Sequence, residues 1–191
     1  GSWRNKISTW DTSNVTNFSN FLRSNSAFDN GTDLVDMDNL DVSSAINMDW
    51  MLNRATRMAN IYIGSWDVSN VTTFNTFSNP LDISNSGIEN WDVSNASNFN
   101  QFNAYAQQTD VSFANWTPVN MTSALQFMFN NSAMSTANYD ATLISWAAQS
   151  LQSNVSINFG NTQYTLGGAA EAARNTLINT YSWTITDGGG V

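Results

Sequence analysis

The heptad Trp10-Asp11-Thr12-Ser13-Asn14-Val15-Thr16 is written again as Trp66-Asp67-Val68-Ser69-Asn70-Val71-Thr72 and as Trp91-Asp92-Val93-Ser94-Asn95-Ala96-Ser97. Two degenerate copies begin at Leu40 (Leu40-Asp41-Val42-Ser43-Ser44-Ala45) and at Trp116 (Trp116-Thr117-Pro118-Val119). The anchors therefore stand at positions 10, 40, 66, 91 and 116, one wider interval followed by three that are nearly equal. A unit this short cannot bury its own apolar side, so repetition at a near-constant period predicts a stack in which each unit covers the next, a solenoid.

The interior of a unit follows from the positions that stay apolar. Ile7, Met37, Ile63, Ile88 and Phe113 stand three residues before the anchors, and Thr12, Val42, Val68, Val93 and Pro118 stand two after. The frame apolar-x-x-Trp-x-Val-x-x-apolar has the spacing of a leucine-rich-repeat strand, with Trp in a leucine position. Alternation there predicts a short strand with Trp and Val inward and their neighbours outward. The period then changes to three: Val15, Phe18, Phe21; Val71, Phe74, Phe77; Ala96, Phe99, Phe102. That spacing suits a helical or 3₁₀ turn facing the core. The expected fold is therefore an α/β solenoid, a right-handed leucine-rich-repeat-like coil of about five 25-residue repeats with a short parallel sheet. The repeats occupy 1–132, with an insertion over 28–38 that accounts for the wider interval between Trp10 and Leu40.

Beyond residue 132 the pattern stops. Ala137 to Gln152 reads as an amphipathic helix, Val155 to Phe159 as a strand, Ala169 to Asn179 as an alanine-rich helix and Trp183 to Ile185 as a strand. An αβαβ segment over 133–191 is expected to cap the open end of the last repeat.

Composition then removes whole classes of function. Histidine and cysteine are absent, which excludes the usual zinc sites, Ser-His and Cys-His nucleophiles and disulfides. Six basic residues against 15 acidic ones, a net charge of −9, leave no footprint for nucleic acid. No apolar run approaches the length that a membrane-spanning helix needs, so no membrane insertion is expected. Asn, Ser and Thr number 29, 24 and 19, while 13% of the chain is aromatic, too sticky for a solvated tail. Such a chain looks extracellular, on a bacterial cell or virion surface. Gly1-Ser2 reads as a cloning remnant on an excised fragment.

The Trp-Asp-Val-Ser-Asn-Val-Thr motif followed by Phe-x-x-Phe, at this period, resembles the bacterial surface protein 26-residue repeat, a leucine-rich-repeat-like family of Mycoplasma and Listeria surface proteins. The stretch from Asn138-Tyr139-Asp140-Ala141 through Gly167-Gly168-Ala169-Ala170 to Trp183-Thr184-Ile185-Thr186-Asp187 is similar to segments that close such arrays in marine bacteria and phages. The resemblance implies a surface location and an adhesive or receptor-binding role. Phe74, Phe77, Phe99 and Phe102 stand where typical repeats carry Met, so it implies no particular ligand.

Three outward columns are expected beside the anchors: Thr9, Asn39, Ser65, Asn90 and Asn115; Asp11, Asp41, Asp67, Asp92 and Thr117; Ser13, Ser43, Ser69, Ser94 and Val119. As a ligand-binding sheet face, Asn39, Asp41, Ser65, Asp67, Ser69, Asn90, Asp92, Ser94 and Asn115 would suit sugar hydroxyls. The competing reading makes each Asp an acceptor for backbone N–H groups of the following turn. Phe28, Tyr62 and Tyr105, off the repeat register, are the candidate aromatic platforms. Asp29-Asn30-Gly31-Thr32-Asp33 and Asp36 to Asp41 resemble a calcium loop but lack the Glu an EF-hand requires, so calcium is the one cofactor left open and no metal site is expected. Sequons such as Asn14-Val15-Thr16 follow from the motif itself. Glu89 and Glu171 are the only glutamates and no acid pairs convincingly with a base, so no catalytic residue is expected. The expected function is a non-catalytic adhesin or phage receptor-binding module, part of a larger surface or tail protein, whose partner is a surface glycan or protein of a host or neighbouring cell. Ice binding or a structural spacer is the alternative.

Overall fold

The computed structural model describes residues 10–24, 37, 40–55, 61–79, 81–106, 109–128 and 134–191. Consecutive units lie side by side in parallel. Single-residue parallel bridges run Asn17 to Asn47 to Thr73 to Asn98 to Ser123, each seven residues after its anchor. The stack continues through β1 (Ala124–Met128), β2 (Ser156–Phe159) and β3 (Thr184–Thr186), a parallel sheet in that order. Between them run α1 (Thr136–Ala147) and α2 (Ala169–Tyr181). The first helix thus ends earlier than its sequence pattern suggests, and the second continues to Tyr181.

Trp and Val face the core as the alternation predicts, but no strand forms there among the described residues. In the four units that carry it, the Asp after the anchor holds a turn instead. Asp67 Oδ1 accepts from the Ser69 N–H at 3.1 Å, and Val71 N–H then closes onto the Val68 carbonyl at 2.9 Å. This local turn competes with an extended ladder and wins. The parallel bridges form after the turn instead of before it.

The period-three segment does turn its Phe pairs inward, yet it is not a helix. In the fourth unit the Phe102 and Ala104 N–H groups bond back to Phe99 and Gln101, while those of Phe99, Gln101 and Asn103 donate to Ser123, Leu125 and Phe127 in the next unit. Alternate donors therefore serve the turn and the neighbour. A left-handed residue ten after each anchor makes this possible: Asn20, Trp50, Thr76, Gln101 and Gln126, with φ of 61, 60, 56, 54 and 58°. In β1 the same residue, Gln126, lies where the register slips, since Ala124 pairs with Ile157 but Met128 with Phe159.

The core is a column of like rings. Phe74 stacks on Phe99 at 5.6 Å, Phe77 on Phe102 at 5.5 Å, Phe102 on Phe127 at 5.4 Å and Trp66 on Trp91 at 6.2 Å. Three anchor indoles are also pinned to the unit before them. Trp66, Trp91 and Trp116 Nε1 donate to the carbonyls of Met37, Ile63 and Ile88, at 2.9, 2.9 and 2.8 Å. Trp146 in α1 repeats this on Phe113 at 2.9 Å. Leu40, Trp66, Trp91 and Trp116 are buried, whereas Trp10 is 47% exposed. Among the described residues no unit precedes Trp10 to cover it.

At the C-terminal end, the near-buried Asp187 ties three elements. It accepts from Tyr139 OH at 2.8 Å, from Arg174 Nε at 2.8 Å and from the Gly189 N–H at 3.1 Å. Burial, followed by the Asp187 charge, pushes the Tyr139 hydroxyl far up, so it serves as a neutral donor.

Candidate functional site

The columns called from the sequence come together along one edge of the stack, at the turns rather than on the bridged strip. Asp11, Asp41, Asp67 and Asp92 are all exposed. Their Oδ1 atoms accept from the N–H of Ser13, Ser43, Ser69 and Ser94 at 3.2, 3.0, 3.1 and 2.9 Å. The Ser13, Ser43 and Ser69 hydroxyls reinforce the first three at 2.7, 2.7 and 2.6 Å. These hydroxyl and then N–H donors hold the Asp11 and Asp41 carboxyls below the ordinary aspartate range. One oxygen of each carboxylate is thus a turn acceptor. Among the described residues, Oδ2 of these four carries no hydrogen bond. Asp82 makes the same turn with Ser84 at 2.9 and 2.6 Å, a site the sequence reading missed although Asp82-Ile83-Ser84 copies the motif.

Ser65, Asn90 and Asn115 are exposed next to this row. Thr9, Asn39, Phe28 and most of the acidic stretch from Asp29 to Asn39 lie outside the described residues. Tyr62 and Tyr105 are 47% and 44% exposed. Tyr62 lies across Gly87, at φ 81°, where an added Cβ would come within 2.7 Å of both the tyrosine ring and the Gly64 backbone. Among the described residues no group of three acidic side chains is arranged to hold a metal ion.

Behind the Asp row the structure shows two columns that the sequence reading left out. Asn70, Asn95 and Asn120 Nδ2 donate to the Ser43, Ser69 and Ser94 carbonyls of the preceding unit at 2.9, 2.7 and 2.7 Å. Two residues on, the Thr72, Ser97 and Thr122 hydroxyls donate to the Ile46, Thr72 and Ser97 carbonyls at 3.1, 3.4 and 3.3 Å. Gln152 extends the first column by donating to the Val119 carbonyl at 3.1 Å. The Asn-x-Thr spacing was in plain view as sequons. What gives it structural meaning is the burial of the middle residue, Val71, Ala96 or Met121, which turns both neighbours outward.

A family described as "Mycoplasma protein of unknown function, DUF285" matches residues 2–79 and again 32–146. The chain belongs to that family. The start of the second match is displaced from that of the first by the spacing between the anchors Trp10 and Leu40, so one family pattern fits this member in two frames a unit apart. Both matches together end at Trp146, which repeats the indole-to-carbonyl bond of the anchors, and Trp183 beyond them makes a further such bond to the Gln152 carbonyl at 2.8 Å. No curated protein and no solved structure matches the chain significantly. The family carries no assigned activity, so function rests on the site itself.

Proposed function

We propose that this chain is a non-catalytic recognition module, an adhesin or phage receptor-binding segment that engages a cell-surface glycan or protein at a bacterial or virion surface. We read its stacked units as a right-handed, leucine-rich-repeat-like solenoid over 1–132, closed by 133–191. The observation that carries the functional reading is the repeated Asp-x-Ser turn, which presents one carboxylate oxygen outward from each of the first four units on a backbone that is already held. Extended repeat faces of this kind are binding surfaces, and fixed acceptors at regular intervals suit ligands rich in hydroxyl groups. The turn role dictates the experiment. Asp67→Asn with Asp92→Asn keeps the Oδ1 acceptor and removes the charge. In a glycan-array and whole-cell binding screen, with and without calcium, this pair is expected to weaken binding about tenfold or more while leaving Tm nearly unchanged. Binding equal to that of the parent chain would remove the Asp row from the site.

The Asn and Thr columns favour a second reading, ice binding. Asn70 and Thr72, Asn95 and Ser97, and Asn120 and Thr122 form a rigid, uncharged array whose side chains are pinned to the unit before. Thermal hysteresis of the purified chain, lost on Thr72→Lys with Thr122→Lys, is the outcome this reading requires.

A further inference from the structure

The unit-to-unit interface has a direction, and at the Trp10 end one half of it meets no partner among the described residues. In the second unit the carbonyls of Asn47, Asp49, Met51 and Asn53 accept from the N–H groups of Phe18, Asn20, Leu22 and Ser24, at 2.9, 2.9, 2.9 and 2.8 Å. The equivalent carbonyls of the first unit, Asn17, Ser19, Phe21 and Arg23, receive no hydrogen bond among the described residues. Side-chain donors show the same gap. Trp66 Nε1 and Asn70 Nδ2 reach carbonyls of the unit before, while Trp10 Nε1 reaches no acceptor among the described residues and Asn14 Nδ2 makes only a 3.3 Å contact to the neighbouring Ser13 hydroxyl. Trp10 and Val15 are exposed apolar surface on this side, where their counterparts Trp66 and Val71 are buried.

We propose that the outer side of the first unit is a docking edge for a further unit of this same repeat, added in parallel ahead of Trp10. The occupant is defined by what the edge lacks: N–H donors on alternate residues to meet four carbonyls, two backbone carbonyls to meet Trp10 Nε1 and Asn14 Nδ2, and a ring to lie on Trp10. A repeat unit of this chain offers all of these on its trailing side. A second copy of the whole chain does not. Its far end is β3, three residues paired with β2 alone, which leaves one N–H directed outward by the alternation of a parallel strand. Two copies meeting first unit to first unit would oppose carbonyl row to carbonyl row.

The test is a full-length chain with a copy of residues 91–115 inserted directly before Trp10, which supplies donors at every required position. The stability of a repeat array is a sum of unit and interface terms, so the fused chain is expected to melt at least ~5 °C higher. The Trp10 indole N–H is expected to exchange at least about tenfold more slowly, as the equivalent groups of buried anchors do. A double-mutant cycle separates docking from mere attachment. Trp10→Ala should change the melting temperature of the parent chain little and should abolish most of the gain in the fused chain. An inserted unit that is digested by protease while the melting temperature and Trp10 exchange stay at parent values overturns the proposal, as does a gain that Trp10→Ala leaves intact. Adding the 91–115 peptide in trans, or raising the concentration of the parent chain, distinguishes the occupants: slower Trp10 exchange on self-association alone would make the partner a second copy and refute the assignment.

Discussion

The Trp91 indole is held by its bond to the Ile63 carbonyl and by three rings, Trp66 at 6.2 Å and Phe74 and Phe77 at 5.5 Å each. Trp91→Phe keeps a ring in the column but removes the N–H and leaves a void. It should cost about 2 kcal/mol in a chemical-denaturation experiment, against about 3–5 kcal/mol for Trp91→Ala. Trp10→Phe, at an exposed site with no indole partner among the described residues, should cost under about 0.5 kcal/mol. Equal losses at the two positions would contradict the burial pattern. At this scale the sequence says which residues are anchors, because Trp-x-Val repeats whatever the environment. It does not say that the first anchor stays half-exposed, since burial of an anchor is a property of the unit that precedes it. Nor do residues such as Thr76 and Gln126 announce a positive φ, which is ordinarily the place of Gly or Asn. At Thr76 the hydrogen bond from its N–H to the Asn100 carbonyl of the next unit, at 2.8 Å, helps to hold that conformation.

Among the elements, α1 depends on a residue from outside it. Ser135 caps the helix by accepting from the Asn138 N–H, and Asp110 then takes the Ser135 N–H at 2.8 Å and Asn138 Nδ2 at 2.7 Å. The Ser135 N–H, against partial burial, holds the Asp110 carboxyl below the ordinary aspartate range. A lowered folded value means that this contribution is fully present above the unfolded value of about 3.9 and is lost as pH falls through the folded one. Asp110→Asn should therefore melt a few degrees below the parent at pH 7, with the gap closing below about pH 4; a gap independent of pH would assign the loss to packing instead. The helix itself was legible from its apolar spacing, and β2 and β3 from short β-branched runs, whereas β1, with no β-branched residue, was not. The bridged strip was not, for a physical reason. Asp-x-Ser favours a turn as strongly as Trp-x-Val favours a strand, and pattern alone does not say which one the backbone obeys. The candidate site moved with that choice, from the face of a sheet to the edge of a row of turns.

In the whole molecule the two ends of the stack are unlike. At the Trp10 end lies an edge whose carbonyls and indole N–H face no partner among the described residues. At the other end α1, β2, α2 and β3 cover the fifth unit. Trp146 bonds the Phe113 carbonyl and Gln152 that of Val119, two backbone groups that one repeat offers the next and that are met here by a different fold, while Gln149 adds a bond to the Trp116 carbonyl at 2.9 Å. Phe127 packs on Trp146 at 6.5 Å and on Phe159 at 5.8 Å, and β1 gives its outer edge to β2. Cutting the chain after Asn131 would strip away all of these at once, exposing Trp116, Phe113 and Phe127 together with an unpaired strand edge. Surface of that kind associates with itself. Residues 1–131 alone are expected to elute as soluble aggregate in size-exclusion chromatography and to melt without a cooperative transition. A point change that frees Asp187, such as Tyr139→Phe, should lower Tm yet leave the chain monomeric, because the closing segment stays in place. A monomeric, cooperatively melting fragment of residues 1–131 would mean that the fifth unit needs no cover, and that 133–191 is a separate attachment rather than the end of the stack.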